Sequence, residues 1–437
     1  MRLRVRPVRR LTGRTDVPGD KSISHRAALL GALAEGVTDI RGFLEAEDCR
    51  RTIAAIEALG ADVTRKGPGE YRIAGAGRRG LQEPADVIDC GNSGTTARLL
   101  LGVLAGLPFW TCLTGDDSLR RRPMGRVAEP LRRMGATIVG RADGSKLPLA
   151  VRGAERVGAL TYALPVASAQ VKSAILLAGL AADGPVAVTE PAQSRDHTER
   201  MLRQFGARLN TRGLTTTLEP GPLAGASVTV PGDISSATFV LVAALVVPDS
   251  RVTVTGLGLN PTRTGVLEAL AAMGARLEVA PATVPSGGEP YGDVTAVSSE
   301  LGGASVGGAL VPRLLDEVPA LAVAAALARG RSEITDAAEL RVKESDRLAA
   351  LARELTAMGA CITERPDGLV IEGGARLRGT RVTSGGDHRI AMALAVAGLV
   401  AQGETLIEDT DCIATSFPQF ADVLNALAGE PCASVEG

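Results

Sequence analysis

The chain has 437 residues, with 48 Lys+Arg against 49 Asp+Glu and a formal net charge of −1. That balance excludes a global field that would draw it to nucleic acid or an anionic membrane, so charge-driven recognition has to be local. Aromatic residues make up only 2%, which argues against base-stacking nucleic-acid modules, and the length suits a large core shared by two domains.

The chain opens on "MRLRVRPVRR", basic but with no apolar run behind it, which is not a secretory leader. The alternation of Leu3, Val5 and Val8 with Arg predicts a strand instead. Next comes "VPGDKSISHRAALLGALAEG" (17–36), where Lys21, Ser22, Ser24, His25 and Arg26 crowd the mouth of an Ala/Leu-rich helix. The same phrase, a polar cluster opening an Ala-rich helix, recurs at "GNSGTTARLLL" from 91 and "VASAQVKSAILL" from 166. It recurs again at "GDISSATFVLV" from 232, "LLDEVPALAVAAA" from 314 and "GGDHRIAMALAV" from 385.

A second phrase runs in step with the first. "IEALGADVT", "LRRMGATIV", "LRQFGARLN", "LAAMGARLEV" and "LTAMGACIT" each read as a helix end, a Gly and a period-2 strand. Their glycines stand at 60, 135, 206, 274 and 359, steps too long for a solenoid repeat and too short for an ordinary domain. Six helix openings face only five such strands, so the N-terminal "LRVRPV" is expected to supply the sixth. The break falls near "SVTVPGD" (227–233), which predicts a first lobe over 19–229 and a second made of 1–18 plus 230–437.

Helix N-termini carry unpaired N–H groups and the positive end of the helix dipole, and so favour anions. A single Lys or Ser at such a position is ordinarily a capped, solvated terminus. Polar clusters that keep phase across six repeats weaken that reading, because random surface polarity would not stay in register.

Several chemistries are excluded. "GAGRRG" (75–80) matches a dinucleotide fingerprint in letters only, since Gln82, Glu83 and Pro84 follow it where a helix is needed. No GxxxxGK[ST] is present, and the histidines at 25, 197 and 388 form no metal-binding spacing, so neither metal nor cofactor is expected. The cysteines at 49, 90, 112, 361, 412 and 432 contain no CxxC and read as free thiols of a reducing cytoplasm. The longest apolar stretch, 237–247, is too short to span a bilayer, so a soluble, cytoplasmic chain is expected. Reaction chemistry therefore falls to Lys, Arg, Asp and Glu.

Four segments concentrate those residues. "SLRRRPMGR" (118–126) reads as a loop before a helix, and "LLDEVPALAVAAA" sets Asp316 and Glu317 where N-capping by one carboxylate is the ordinary role. "ELRVKESDRL" (339–348) has the look of a salt-bridged helix surface, and "GGDHRIAMA" puts Asp387, His388 and Arg389 on a Gly-rich turn.

Taken together and in order, "GDKSISHR", "GNSGTTAR", "RRRPMG", "SAQVKSA", "LLDEVPA", "RVKESDR" and "GGDHRIAMA" resemble the enolpyruvyl transferase family over essentially the whole chain. The likeness is strongest to the branch whose acceptor is shikimate 3-phosphate. It implies an α/β fold of two lobes and six βαβαββ units, three per lobe with pseudo-threefold symmetry, and an active site in the cleft between. It also implies transfer of the enolpyruvyl group of phosphoenolpyruvate to the acceptor's 5-hydroxyl by addition–elimination, releasing phosphate, in chorismate biosynthesis. The partners would be those two small molecules, with no nucleic acid and no membrane, acting on a monomer.

By motif position, the resemblance implies Lys21 between both substrates, and Ser22, Arg26, Ser168, Ala169, Gln170 and Arg195 on shikimate 3-phosphate. Lys21, Gly94, Arg122, Gln170, Arg347 and Arg389 would form the phosphoenolpyruvate pocket, the guanidiniums suiting bidentate anion binding. Asp316 would bind the acceptor's hydroxyls and serve as base, with Lys343 beside it, while Glu344 would protonate the methylene carbon. Glu339 replaces a familiar Asn, and Thr415 stands where many members place a lysine. "GDKS", "SAQVK", "RDHTE" and "NPTR" resemble the second, less glyphosate-sensitive class. The alternative within the family, a transferase acting on UDP-N-acetylglucosamine, typically has Lys-Asn where this chain has Lys21-Ser22, and a Cys that 114–123 lacks.

Overall fold

A computed structural model describes residues 1–282 and 288–437. The described residues form two compact units, one of Met1–Pro18, 231–282 and Pro290–Gly437, the other of Gly19–Val230 and 288–289. Each has its own apolar core.

The same module builds both. Among the described residues the strands make six sheets, three in each unit. The sheet containing Leu160–Ala163 shows the plan: that strand runs parallel to Val186–Thr189, which pairs antiparallel with Thr215–Leu218, and this in turn with Leu209–Arg212. A buried helix, here Ala169–Gly179, joins the parallel pair, and a half-exposed one, here His197–Gln204, leads to the outer strand. The buried helices are the six expected from the sequence: Lys21–Leu33, Gly94–Leu104 and Ala169–Gly179 in one unit, Ile234–Val246, Val318–Leu327 and His388–Gly398 in the other.

Small residues let these helices approach closely. A Cβ on Gly102 would lie 2.6 Å from Ala174 Cα in the neighbouring helix. The glycines at 60, 135, 206, 274 and 359 all have φ between 84° and 103°, a left-handed conformation that closes each outer helix.

Three expectations need correction. The sixth outer helix, Phe420–Ala428, ends on Gly429 at φ 71°, and the strand after it is Ala433–Glu436. The N-terminal strand Arg2–Val5 does join this sheet, but between Thr405–Glu408 and Ala433–Glu436 rather than as the missing outer strand. Residues 118–126 are not simply a loop, because Asp117–Arg121 form a short helix capped by Asp116, with Arg122 extended before the Gly125–Arg133 helix. The "ELRVKESDRL" segment is no helix surface either: Ala338–Val342 is a 3-10 turn, Lys343 is extended, and the helix begins at Arg347 behind its Asp346 cap.

Candidate functional site

Polar residues at the buried helices' starts do cap them. Asp20, Ser93, Ser168, Asp233 and Asp387 each accept from a backbone N–H in the first turn. The Val318–Leu327 helix has no side-chain cap; Asp316 and Glu317 sit in a 3-10 turn before it, so their carboxylates are held by other partners.

In the unit holding 19–230, the Lys21–Leu33 helix starts against the His197–Gln204 and Ala169–Gly179 helices. Arg26 is buried there and donates to Ser22 O at 2.9 Å, Ser173 Oγ at 2.8 Å and Thr198 Oγ1 at 2.6 Å. Burial pulls its pKa down to about 10, against the attraction of Glu199 and Asp20. Arg195 Nη1 reaches Ser22 Oγ at 3.4 Å. Lys21 Nζ lies 3.0 Å from Asp48 Oδ2 and stays largely covered.

Behind this group, Lys172 is fully buried between Glu190 and Glu199, at 2.5 and 2.6 Å. These two carboxylates outweigh the burial that opposes its charge, so its pKa is raised. The pair fixes the Ala169–Gly179 helix to the segment carrying Arg195.

A buried chain of hydroxyls connects this helix start with the next. His25 Nδ1 shares a proton with Thr52 Oγ1 at 2.6 Å, Thr52 Oγ1 meets Thr96 Oγ1 at 2.7 Å, and Thr96 donates to the capping Ser93 Oγ at 2.7 Å. Burial first, then the charges of Lys21 and Arg26, push the His25 pKa far below its usual value, so the ring is neutral.

At the second start, Gly94 faces two guanidiniums. Its missing Cβ would lie 3.0 Å from Arg98 Nη1 and 3.2 Å from Arg122 Nη1. Arg122 is buried and donates to Asn92 Oδ1 at 2.6 Å. Arg98 donates to Gln170 Oε1 at 2.8 Å, and Gln170 donates to Thr95 at 3.0 Å, which ties the third helix start, with Ser168 and Ala169, to the second. Of the expected residues in this unit, Ser22, Arg26 and Arg195 form one group and Gly94, Arg122 and Gln170 another.

Arg98, Asp48 and Lys172 were not singled out in the sequence. Arg98 had a signal, since it stands four residues after Gly94 in "GNSGTTAR" and so on the same helix face. Asp48 and the two glutamates had none.

In the other unit, Arg347 is the centre. It is 1% exposed, with Nε 2.8 Å from Asp387 Oδ2, Nη1 3.1 Å from Asp316 Oδ1 and Nη2 2.6 Å from Glu344 Oε2. Burial opposes its charge most strongly, yet Asp387, Glu344 and Asp316 together reverse that and raise its pKa. Asp316 also lies 3.6 Å from both Lys343 Nζ and Arg389 Nη2, and its backbone oxygen accepts from Arg389 Nη1 at 3.1 Å. Asp316, Lys343, Glu344, Arg347 and Arg389 are therefore one contiguous cluster. Glu339 is half-buried in the preceding 3-10 turn, and Thr415 ends another, Thr410–Thr415, packed on the His388–Gly398 helix.

Among the described residues no set of three or more His, Cys, Asp or Glu is placed to hold a metal ion, and no helix is long and apolar enough to cross a membrane. What the two clusters offer is cations and N–H donors for anions in one unit, and paired carboxylates with cations in the other.

The EPSP synthase family model, described as 3-phosphoshikimate 1-carboxyvinyltransferase, matches residues 5–424. The 3-phosphoshikimate 1-carboxyvinyltransferase of Desulforudis audaxviator is 56% identical over 428 residues, covering 98% of this chain and 99% of that protein. That of Gloeobacter violaceus is 57% identical over 422 residues, covering 96% and 97%. Among solved structures, the EPSP synthase of Acinetobacter baumannii aligns with a TM-score of 0.88 at 43% identity, covering all of both chains. A Streptomyces tendae enolpyruvyl transferase, TM-score 0.80 and 20% identical over 98% of this chain and 97% of that one, shares the fold.

Proposed function

The chain belongs to the EPSP synthase family, enzymes that transfer carboxyvinyl groups, and on that premise we propose how its residues divide the reaction. The acceptor is shikimate 3-phosphate and the donor phosphoenolpyruvate. Two phosphates and two carboxylates must be gathered, which requires many cations and N–H donors shielded from water.

Ser22, Arg26, Ser168, Ala169, Gln170 and Arg195 take the acceptor, and Gly94, Arg122 and Gln170 the donor, with Lys21 serving both. Asp316, 3.6 Å from Lys343 Nζ, removes the proton of the 5-hydroxyl as that oxygen attacks C2 of phosphoenolpyruvate. Glu344 delivers a proton to C3, which gives a tetrahedral intermediate. Phosphate then leaves from C2, and Glu344 takes a proton back from C3 as the double bond re-forms.

The observation that carries this reading is the sharing of one buried guanidinium by three carboxylates of different exposure. An incoming anion that binds Arg347 has to displace one of its three partners. Asp387 is wholly buried and caps a helix, while Glu344 is the most exposed of the three at 18% and can leave. Release from Arg347 is what lets Glu344 carry a proton. Arg389, bound to Asp316 by both backbone and side chain, completes the anion site.

We further propose a cytoplasmic, monomeric enzyme of the second, less glyphosate-sensitive class. The test is phosphate release with phosphoenolpyruvate plus either acceptor. Turnover is expected with shikimate 3-phosphate and none with UDP-N-acetylglucosamine; the reverse would install the alternative. Asp316→Asn keeps hydrogen bonding but not basicity, so kcat should fall far more than the KM values rise. Unchanged kcat would remove Asp316 as base.

A further inference from the structure

Beside Asp316, a second carboxylate is buried at greater cost than packing explains. Glu317 is 0% exposed. Its Oε1 accepts from Ser235 Oγ and from Arg263 Nη2, the latter at 3.3 Å, while its Oε2 has no hydrogen-bond partner among the described residues. Arg263, 2% exposed, also donates through Nη2 to Ser235 Oγ at 2.7 Å and to Asp233 Oδ1 at 3.4 Å. Asp233 in turn caps the Ile234–Val246 helix at Ser235 N, 2.8 Å away. Two buried carboxylates, Asp233 and Glu317, thus converge on one buried guanidinium.

A buried ionic group of this kind is weak evidence for stability, because apolar residues of similar volume commonly serve as well or better. An unpartnered buried carboxylate oxygen makes it worse. What the group does achieve is geometric. Glu317 is the last residue of the 3-10 turn Leu315–Glu317, and the helix after it has no side-chain cap to set where that turn lies. Arg263 and Ser235 hold the turn at Glu317, while Arg347, Lys343 and Arg389 hold the adjacent Asp316.

We propose that Glu317 is a positioning residue, whose clamp on Arg263 and Ser235 sets the place of the Asp316 carboxylate; this rests on the reading of Asp316 as base. A displacement of about 1 Å in a reacting group costs up to about a hundredfold in rate. Activity, not stability, is therefore what the clamp protects.

The test compares purified full-length Glu317→Leu and Glu317→Gln with the parent and with Asp316→Asn, by thermal unfolding and steady-state kinetics. Glu317→Leu leaves Arg263 paired with Asp233 and removes a buried carboxylate whose Oε2 has no hydrogen-bond partner among the described residues, so its Tm should hold or rise. Its kcat should fall about ten- to a hundredfold, by the misplacement argument, with both KM values nearly unchanged. Glu317→Gln, which can still accept from Arg263 and Ser235, should recover most of the loss. A folded Glu317→Leu with kcat within twofold of the parent overturns the proposal if Asp316→Asn is inactive. If Asp316→Asn is also unimpaired, the base assignment has failed and the clamp with it. A lowered Tm with kcat loss that Glu317→Gln does not rescue also overturns it, since that is a merely structural role.

Discussion

Replacing Arg26 by Gln should change the protein's stability by no more than about 2 kcal/mol while abolishing tight binding of the acceptor. The guanidinium is 4% exposed, and burial lowers its pKa from 12.5 to about 10. At neutral pH it is still protonated, so the folded protein carries the cost of that buried charge, about 3 kcal/mol at 1.36 kcal/mol per pKa unit. Against this stand its three hydrogen bonds, to Ser22 O, Ser173 Oγ and Thr198 Oγ1, worth about 1.5 kcal/mol each at the low end for a charged donor. The two sums differ by only about 1–2 kcal/mol. Ser173 keeps its bonds to Ala169 O and Thr198, so the change strands no hydroxyl.

Binding is different, because a phosphate restores to Arg26 the solvation that burial removed. Two charge-assisted hydrogen bonds at about 1.5–3 kcal/mol each make a loss of about a hundredfold or more in affinity. Denaturant unfolding and calorimetric titration with shikimate 3-phosphate read the two quantities separately. The sign with pH also follows. Because the folded pKa lies below the unfolded one, the cost is constant below pH 10 and fades only as pH climbs from 10 towards 12.5, so the variant's stability difference should be the same at pH 7 and 8.5. A loss of unfolding free energy above about 5 kcal/mol, beyond the low-end sum of the three bonds, would show that Arg26 is structural. An affinity change below tenfold would refute its place on the acceptor's phosphate.

Three further predictions concern other links. Gly94→Ala puts a methyl against Arg98 and Arg122, so it should raise the KM for phosphoenolpyruvate, and weaken the bulkier glyphosate more; equal factors for both in paired inhibition assays would refute the discrimination. His25 is buried neutral with a depressed pKa, so the unfolded chain takes up a proton that the fold refuses, and stability should fall as pH drops below 6.5. That term is about 1.4 kcal/mol per pH unit, and His25→Gln should flatten the unfolding free energy between pH 6.5 and 5 by that amount. Gly102→Ala drives a methyl into the backbone of Ala174 and should destabilise the fold by about 1–3 kcal/mol in denaturant unfolding, with kcat unchanged in the folded fraction.

Much of this architecture is written locally. A capping Asp or Ser, a run of Ala and Leu, a Gly and an alternating strand are neighbours in sequence, and each acts within a turn or two of itself. That is why the six buried helices and the five left-handed glycines could be read directly. Where the local signal was blurred, the reading slipped: "LAGEPCASVEG" carries Pro431 and Cys432 after its Gly429, so the sixth outer strand was missed. The charges of 118–126 hid a short helix for the same reason, since Arg-rich runs carry no period.

The motif residues themselves were legible, but their partners were not. Arg26 finds Thr198, Lys172 finds Glu190 and Glu199, Arg347 finds Asp316 and Asp387, and Arg263 finds Glu317, each across a long stretch of chain. Sequence alone determined the elements, their repeat and the residue types at each helix start, because backbone hydrogen bonding and side-chain periodicity are short-range. Which carboxylate meets which guanidinium was decided by tertiary packing alone, because only the close approach of small-residue helices brings such groups together and removes the water that would otherwise satisfy them.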